Sequence, residues 1–155
     1  MGKYTELDRS AGRLIVGRLS GPVLPAKHKK ALADGILGGI TLFAENASDL
    51  EQLATLCADI IEASDHVPVL TVDQEGGAVQ RFESIITPLP SPMALAATRS
   101  AENIARITRI SAEQLGLLGF NCLLAPVLDV VTNPQNPIVS TRSFGTVSEL
   151  CEHYG

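Results

Sequence analysis

The sequence predicts an α/β fold on a mostly parallel sheet, because short apolar runs with little polar alternation take turns with segments of helical periodicity. A second observation is the placement of acids. Leu70-Thr71-Val72-Asp73-Gln74-Glu75-Gly76-Gly77 sets two carboxylates and two glycines at the end of an apolar, β-branched run. Parallel sheets carry their sites at such strand ends.

Four runs read as strands, over 13–18, 39–43, 67–72 and 122–127. Pro25 opens the first helix, which closes near Gly35. Ser48-x-x-Glu51 is a capping box ahead of an apolar stripe at Leu50, Leu53, Ala54, Cys57 and Ile61. A third helix over 100–118 buries Ile104, Ile107, Leu115 and Leu118 and ends at Gly119. Thr146-x-x-Glu149 is a second capping box, starting a stripe at Val147, Leu150, Cys151 and Tyr154. No linker or composition shift divides the 155 residues, so the expectation is a single unit over 1–155, cut within a repeating βα series.

Composition narrows the function classes. A hydrophobic content of 45% gives a globular chain rather than a disordered one. No apolar run reaches the roughly 20 residues of a membrane helix, and the polar start does not read as a signal peptide. The expectation is a cytoplasmic protein without membrane contact. A net charge of −5 and few aromatics argue against nucleic acid as a partner. Cysteines 57, 122 and 151 are widely spaced among apolar neighbours and read as buried free thiols. His28, His66 and His153 are scattered, Cys151-x-His153 alone does not make a ligand set, and no metal is expected. Without a Gly-x-x-x-x-Gly-Lys or GxGxxG pattern, no nucleotide cofactor is expected either.

The chemistry concentrates in a few loops. Asp73 can accept paired hydrogen bonds from adjacent hydroxyls, and Gly76 and Gly77 permit positive φ and a close backbone approach. Arg81 and Arg142 are permanent cations with five donors each, suited to hydroxyl, carbonyl or carboxylate oxygens. The alternative use of either arginine is an ion pair with Glu75, Glu83 or Asp129. Asp129, beyond the fourth strand, reads as a supporting carboxylate that orients Arg142 or a loop backbone. Prolines 134 and 137 stiffen the loop that delivers Arg142, and the 87–93 loop reads as a structural element. Together these residues suit a polyhydroxylated ligand.

The motifs occur in a telling order: Asp73-Gln74-Glu75-Gly76-Gly77-x-Val79-Gln80-Arg81-Phe82, Leu89-Pro90-Ser91-Pro92, Gly119-Phe120-Asn121, Ala125-Pro126-Val127-Leu128-Asp129-Val130 and Arg142-Ser143-Phe144-Gly145. With Gly38-Gly39-Ile40-Thr41-Leu42-Phe43-x-x-Asn46, this series resembles the N-terminal barrel of glycoside hydrolase family 3, most closely its bacterial β-N-acetylglucosaminidases of cell-wall recycling. The resemblance implies the first half of a (β/α)8 TIM-type barrel, with about four parallel strands and covering helices. It implies a small N-acetylglucosamine-containing saccharide as partner, with Asp73 binding sugar hydroxyls and Arg81 and Arg142 in the same subsite. Glu75, Gly76, Gly77 and Asp129 then support that subsite.

Ala78 departs from the pattern, standing where an arginine usually follows the two glycines. The resemblance also implies a retaining hydrolase whose aspartate nucleophile and histidine acid/base fall beyond Gly155. By that reading no catalytic residue lies within 1–155 and the 155-residue chain alone is inactive. Two alternatives stay open: a β-glucosidase of the same family, and a non-catalytic half-barrel that binds saccharide and self-associates through open sheet edges.

Overall fold

The computed structural model describes residues 4–155, with six strands among them: β1 (Val16–Arg18), β2 (Gly39–Leu42), β3 (Val69–Val72), β4 (Gln74–Gly76), β5 (Val79–Gln80) and β6 (Cys122–Leu123). These residues group into two units. One comprises the chain up to Val72 with Leu115–Leu123, and the other comprises Asp73–Gln114 with Leu124–Gly155.

The first unit holds the parallel sheet, in the order β1-β2-β3-β6, which leaves β1 and β6 at its edges. The register pairs Gly17 with Ile40, Ile40 with Leu70, and Val72 with Leu123. Ile40, Leu42, Leu70 and Val72 are wholly buried. They alternate with Thr41 and Thr71, as the two-residue side-chain period of a strand requires. All four expected strands exist, but each is shorter. β1 starts late because the Leu14 and Ile15 amides donate to Ala11 and Gly12, closing the preceding helix. β6 stops early, with Pro126, which has no N–H to donate, soon following.

That preceding helix, α1 (Glu6–Gly12), was not anticipated. Its start is a full capping box: Thr5 accepts from the Asp8 amide and Asp8 accepts from the Thr5 amide. α2 (Ala26–Ala33) follows Pro25 as expected. α3 (Leu50–Ala63) is capped one residue later than the Ser48-x-x-Glu51 box suggests, because the Asp49 carboxylate accepts from the Gln52 amide at 2.8 Å. Its buried stripe is accordingly Leu53, Leu56, Cys57 and Ile60, while Leu50 and Ile61 face outward. Cys57 and Cys151 are buried, whereas Cys122 is partly exposed on the edge strand.

In the second unit β4 and β5 pair antiparallel as a short hairpin. α4 (Pro92–Ala97) replaces the end of the expected 87–93 loop. Ser91 caps it through the Ala94 amide, and Pro92 occupies the first turn, where its missing N–H costs nothing. α5 (Ala101–Leu117), whose residues up to Gln114 belong to the second unit and whose last residues from Leu115 belong to the first, matches the expected third helix. Ile104 and Leu115 are buried, Ile107 and Leu118 only partly so, and Gly119 lies beyond the helix at φ 97°. α6 (Ser148–Tyr154) begins without a side-chain cap at Val147, so the expected Thr146 box does not form. Leu95, Ala96, Ile104, Phe144 and Cys151 make one hydrophobic cluster of this unit, with Ile107, Val130 and Tyr154 against it. No helix among the described residues is long and apolar enough to cross a membrane.

Candidate functional site

Asp73 directly follows β3, and the next residues form the hairpin that carries most of the candidate site. Strand alternation separates three neighbours: Gln74 points inward with 2% of its surface exposed, while Asp73 and Glu75 are partly accessible. The turn requires its glycines. Gly76 and Gly77 have φ of 101° and 60°, and a Cβ on Gly76 would strike the Pro90 carbonyl, while one on Gly77 would come within 2.6 Å of the Ser91 side chain. The Gly77 amide donates to the Leu89 carbonyl at 2.9 Å. Thus the Gly76-Gly77 and Leu89-Pro90-Ser91 motifs are two sides of one close backbone approach.

Each acid meets an arginine. Arg81 donates to Asp73 Oδ2 from Nη2 at 2.6 Å and from Nε at 3.2 Å. Arg142 grips Glu75 as a fork, Nε to Oε2 at 2.7 Å and Nη2 to Oε1 at 2.8 Å, while its Nη1 donates to the Ile138 carbonyl at 3.1 Å. The exposures distinguish the pairs: the Glu75 side chain is 6% exposed and that of Asp73 22%. Glu75 spends both oxygens on Arg142. Asp73 receives both Arg81 bonds on one oxygen and remains accessible. Hydrogen bonding to Glu75 raises the Arg142 pKa above its ordinary value, and the Glu75, Asp129 and Asp73 charges act in the same direction.

Of the two uses the sequence left open for the arginines, both make ion pairs, Arg142 with Glu75 and Arg81 with Asp73 itself. The Asp129 charge acts on the Arg142 guanidinium, as an acid beside it would. The fork that orients Arg142 comes from Glu75, and Asp129 contributes its carbonyl, which accepts from Ser143 Oγ at 2.5 Å. The wholly buried Ser143 hydroxyl also meets the Gly145 carbonyl, fixing the chain just after Arg142. Before Arg142, Asn133 and Asn136 each accept from the backbone two residues on, at 3.0 and 2.9 Å. Ser140 then adopts φ 39°, a left-handed conformation uncommon for a residue with a Cβ.

Sequence reasoning missed Gln74 and Gln80. Gln74 Oε1 accepts from the Arg81 amide at 3.2 Å, and Gln80 Oε1 accepts from the Leu89 amide at 2.6 Å while its Nε2 donates to the Gly77 carbonyl at 3.0 Å. The period-two alternation of Asp73-Gln74-Glu75 was the available signal, because it turns Gln74 inward whenever the two acids face out. Exposed Ala78 sits at the tip, where the hairpin is held by these amides.

Two of the histidines, His28 and His66, belong to the first unit, and His153 lies in α6. His28 lies 3.1 Å from the Arg18 carbonyl, and His66 contacts Asp65 at 2.6 Å, holding that carboxyl below its usual range. Among the described residues, no three His, Cys, Asp or Glu side chains gather where they could hold a metal ion.

The arrangement is two carboxylate–guanidinium pairs on a hydrogen-bonded turn, and known proteins share its framework. The sequence model of the glycosyl hydrolase family 3 N terminal domain matches residues 7–155. A beta-hexosaminidase of Neisseria meningitidis is 34% identical over 137 residues, covering 84% of this chain and 38% of that protein. One from Idiomarina loihiensis is 32% identical, over 83% of this chain and 40% of its own. The chain thus spans less than half the length of these curated relatives.

Among solved structures, a glycoside hydrolase family 3 beta-N-acetylglucosaminidase from Paenibacillus sp. superposes with a TM-score of 0.92 at 31% identity, over 98% of this chain and 30% of that one. NagZ from Neisseria gonorrhoeae, in complex with N-trifluoroacetyl-D-glucosamine, gives 0.82 at 29% identity, over 90% of this chain and 43% of that one. The four parallel strands and their helices agree with the opening half of the barrel that the motifs imply. On the extent of the family match and the order of its motifs, the chain belongs to glycosyl hydrolase family 3.

Proposed function

We propose that this chain supplies part of the sugar subsite of a retaining glycosidase that removes terminal β-linked N-acetylglucosamine, with Asp73, Arg81 and Arg142 contacting the sugar. Glu75, Gly76, Gly77 and Asp129 support them. The observation that carries the reading is the inequality of the two ion pairs. Asp73 is accessible and pre-oriented by Arg81, so it can accept from vicinal hydroxyls, while Glu75 is nearly buried and committed to Arg142. That the relatives are named beta-hexosaminidase, and a structural neighbour beta-N-acetylglucosaminidase, supports N-acetylglucosamine rather than glucose as the sugar. The nucleophile and acid/base of a retaining reaction stand outside residues 1–155 in this reading, so the 155-residue chain binds without hydrolysing.

For the setting we propose cytoplasmic recycling of cell-wall glycans, supported by the likeness to bacterial relatives. The exposed edges of the four-stranded sheet support self-association of the 155-residue chain, which light scattering tests. The deciding experiment titrates the chain and its Asp73→Ala variant with N-acetylglucosamine and with glucose, following amide shifts by NMR. Weak saturable binding of N-acetylglucosamine that vanishes in the variant supports the assignment. Equal binding by both proteins would reject Asp73, and preference for glucose would move the substrate to the glucoside.

A further inference from the structure

Gln74 and Gln80 form a directed amide relay, and each carbonyl end is fixed by a backbone donor. The Arg81 N–H donates to Gln74 Oε1 at 3.2 Å, and the Leu89 N–H donates to Gln80 Oε1 at 2.6 Å. With both oxygens so assigned, the Gln74 Nε2 must face Gln80 Oε1, at 3.4 Å, and the Gln80 Nε2 must face the Gly77 carbonyl, at 3.0 Å. Neither amide can flip without setting oxygen against oxygen or leaving a backbone donor unpaired. Gln74 is 2% exposed, so water does not replace a lost bond cheaply. The relay therefore runs without a reversible link from the Gly77 turn to the backbone of the residue whose guanidinium holds Asp73.

We propose that Gln74 is a positioning residue: by accepting from the Arg81 amide it fixes the Arg81 backbone, and thereby the Arg81 grip on Asp73. Gln80 anchors Gln74 and ties the hairpin to the Leu89 segment. The proposal deepens the sugar-subsite reading and rests on it only for its effect on affinity. A wrong backbone angle at Arg81 would swing a long side chain, and displacement of order 1 Å at a binding group weakens binding severely.

The test uses the 155-residue chain labelled with 15N and compares Gln74→Met with Gln114→Met. Methionine keeps the length of glutamine and removes its amide. Gln114 is the matched control, since its amide braces the Thr87 backbone and hydroxyl at 2.9 Å each and makes no bond to the hairpin. Two signals are read: hydrogen exchange of the Arg81 amide, and the Nε–H resonance of the Arg81 guanidinium, which reports its bond to Asp73. Expected in Gln74→Met are faster Arg81 amide exchange and a shifted, exchange-broadened Nε–H signal, with both unchanged in Gln114→Met. N-acetylglucosamine affinity should fall roughly tenfold in the first variant only.

An Arg81 Nε–H signal unmoved in Gln74→Met, or moved equally in Gln114→Met, overturns the proposal. If Gln74→Met fails to fold, an Arg81 amide that exchanges in the wild-type chain as fast as a solvent-exposed one overturns it, and a protected one supports it. Failure of the sugar reading is separately visible: the wild-type chain then binds no sugar while the Arg81 signals still respond to Gln74→Met.

Discussion

The two units of this chain hold their backbones in different ways. In the first, a parallel ladder aligns Ile40, Leu42, Leu70 and Val72, and all four are wholly removed from water. In the second, the hairpin and the loop bearing Arg142 are fixed by side chains that bond to backbone, among them Gln74, Gln80, Asn133, Asn136 and Ser143. Apolar burial is non-directional and gives stability. Directed hydrogen bonds give modest stability and a defined geometry, which is what an oxygen-binding site requires.

That contrast predicts which substitutions cost stability and which cost binding. Leu42→Ala should have the largest effect on stability, about 2–5 kcal/mol, read from the denaturant midpoint by circular dichroism. Gly76→Ala comes next at about 1–3 kcal/mol, because φ 101° and the Pro90 carbonyl both resist a Cβ; it should also weaken N-acetylglucosamine binding. A Gly76→Ala chain with wild-type midpoint and affinity would break the distinction outright. Glu75→Gln keeps shape but removes the charge that anchors Arg142. Its stability cost should be about 1 kcal/mol, with affinity falling roughly tenfold by NMR titration.

A smaller effect concerns pH and belongs to the first unit. Asp49 caps α3 and is held below its ordinary value of 3.8 by bonds from the Gln52 amide and Ser48; Asp65 is lowered chiefly by His66. A carboxyl depressed in the folded state contributes stability that is whole above the unfolded value and is lost as pH falls through the lower folded one. Melting temperature should therefore drop below about pH 4, and Asp49→Asn, which can still cap, should flatten that limb. The smallest effect is chemical. Burial pushes the Cys57 thiol up to about 12, so at pH 8 a thiol reagent should label it only after unfolding.

The sequence was most legible where one physical rule dominates. Unalternated apolar runs located the four parallel strands, and the Asp73–Gly77 and Arg142 motifs located the acids, arginines and glycines that the structure pairs within the second unit. Less legible were choices between near-equal local options. Ser48 and Asp49 can each cap α3, and the Asp49 carboxylate takes the Gln52 amide while Ser48 binds the Gln52 side chain. Similarly, Asp129 and Glu75 are both acids available to Arg142, and only the folded path of the 133–142 loop brings the Glu75 fork into line. The role of the Gln74 amide depends on Arg81 and Gln80 returning across the hairpin, which no local pattern displays.

One feature of the ion pairs bears on how the site forms in time. Asp73 and Arg81 are 8 residues apart, whereas Glu75 and Arg142 are 67 apart. Closing the longer loop costs about 2 kcal/mol more chain entropy. The first pair can thus form with its hairpin, on the timescale of local structure, while the second awaits the return of a long intervening segment. The more accessible acid, Asp73, is in place early, and Arg142 reaches Glu75 only when the rest of its unit has folded.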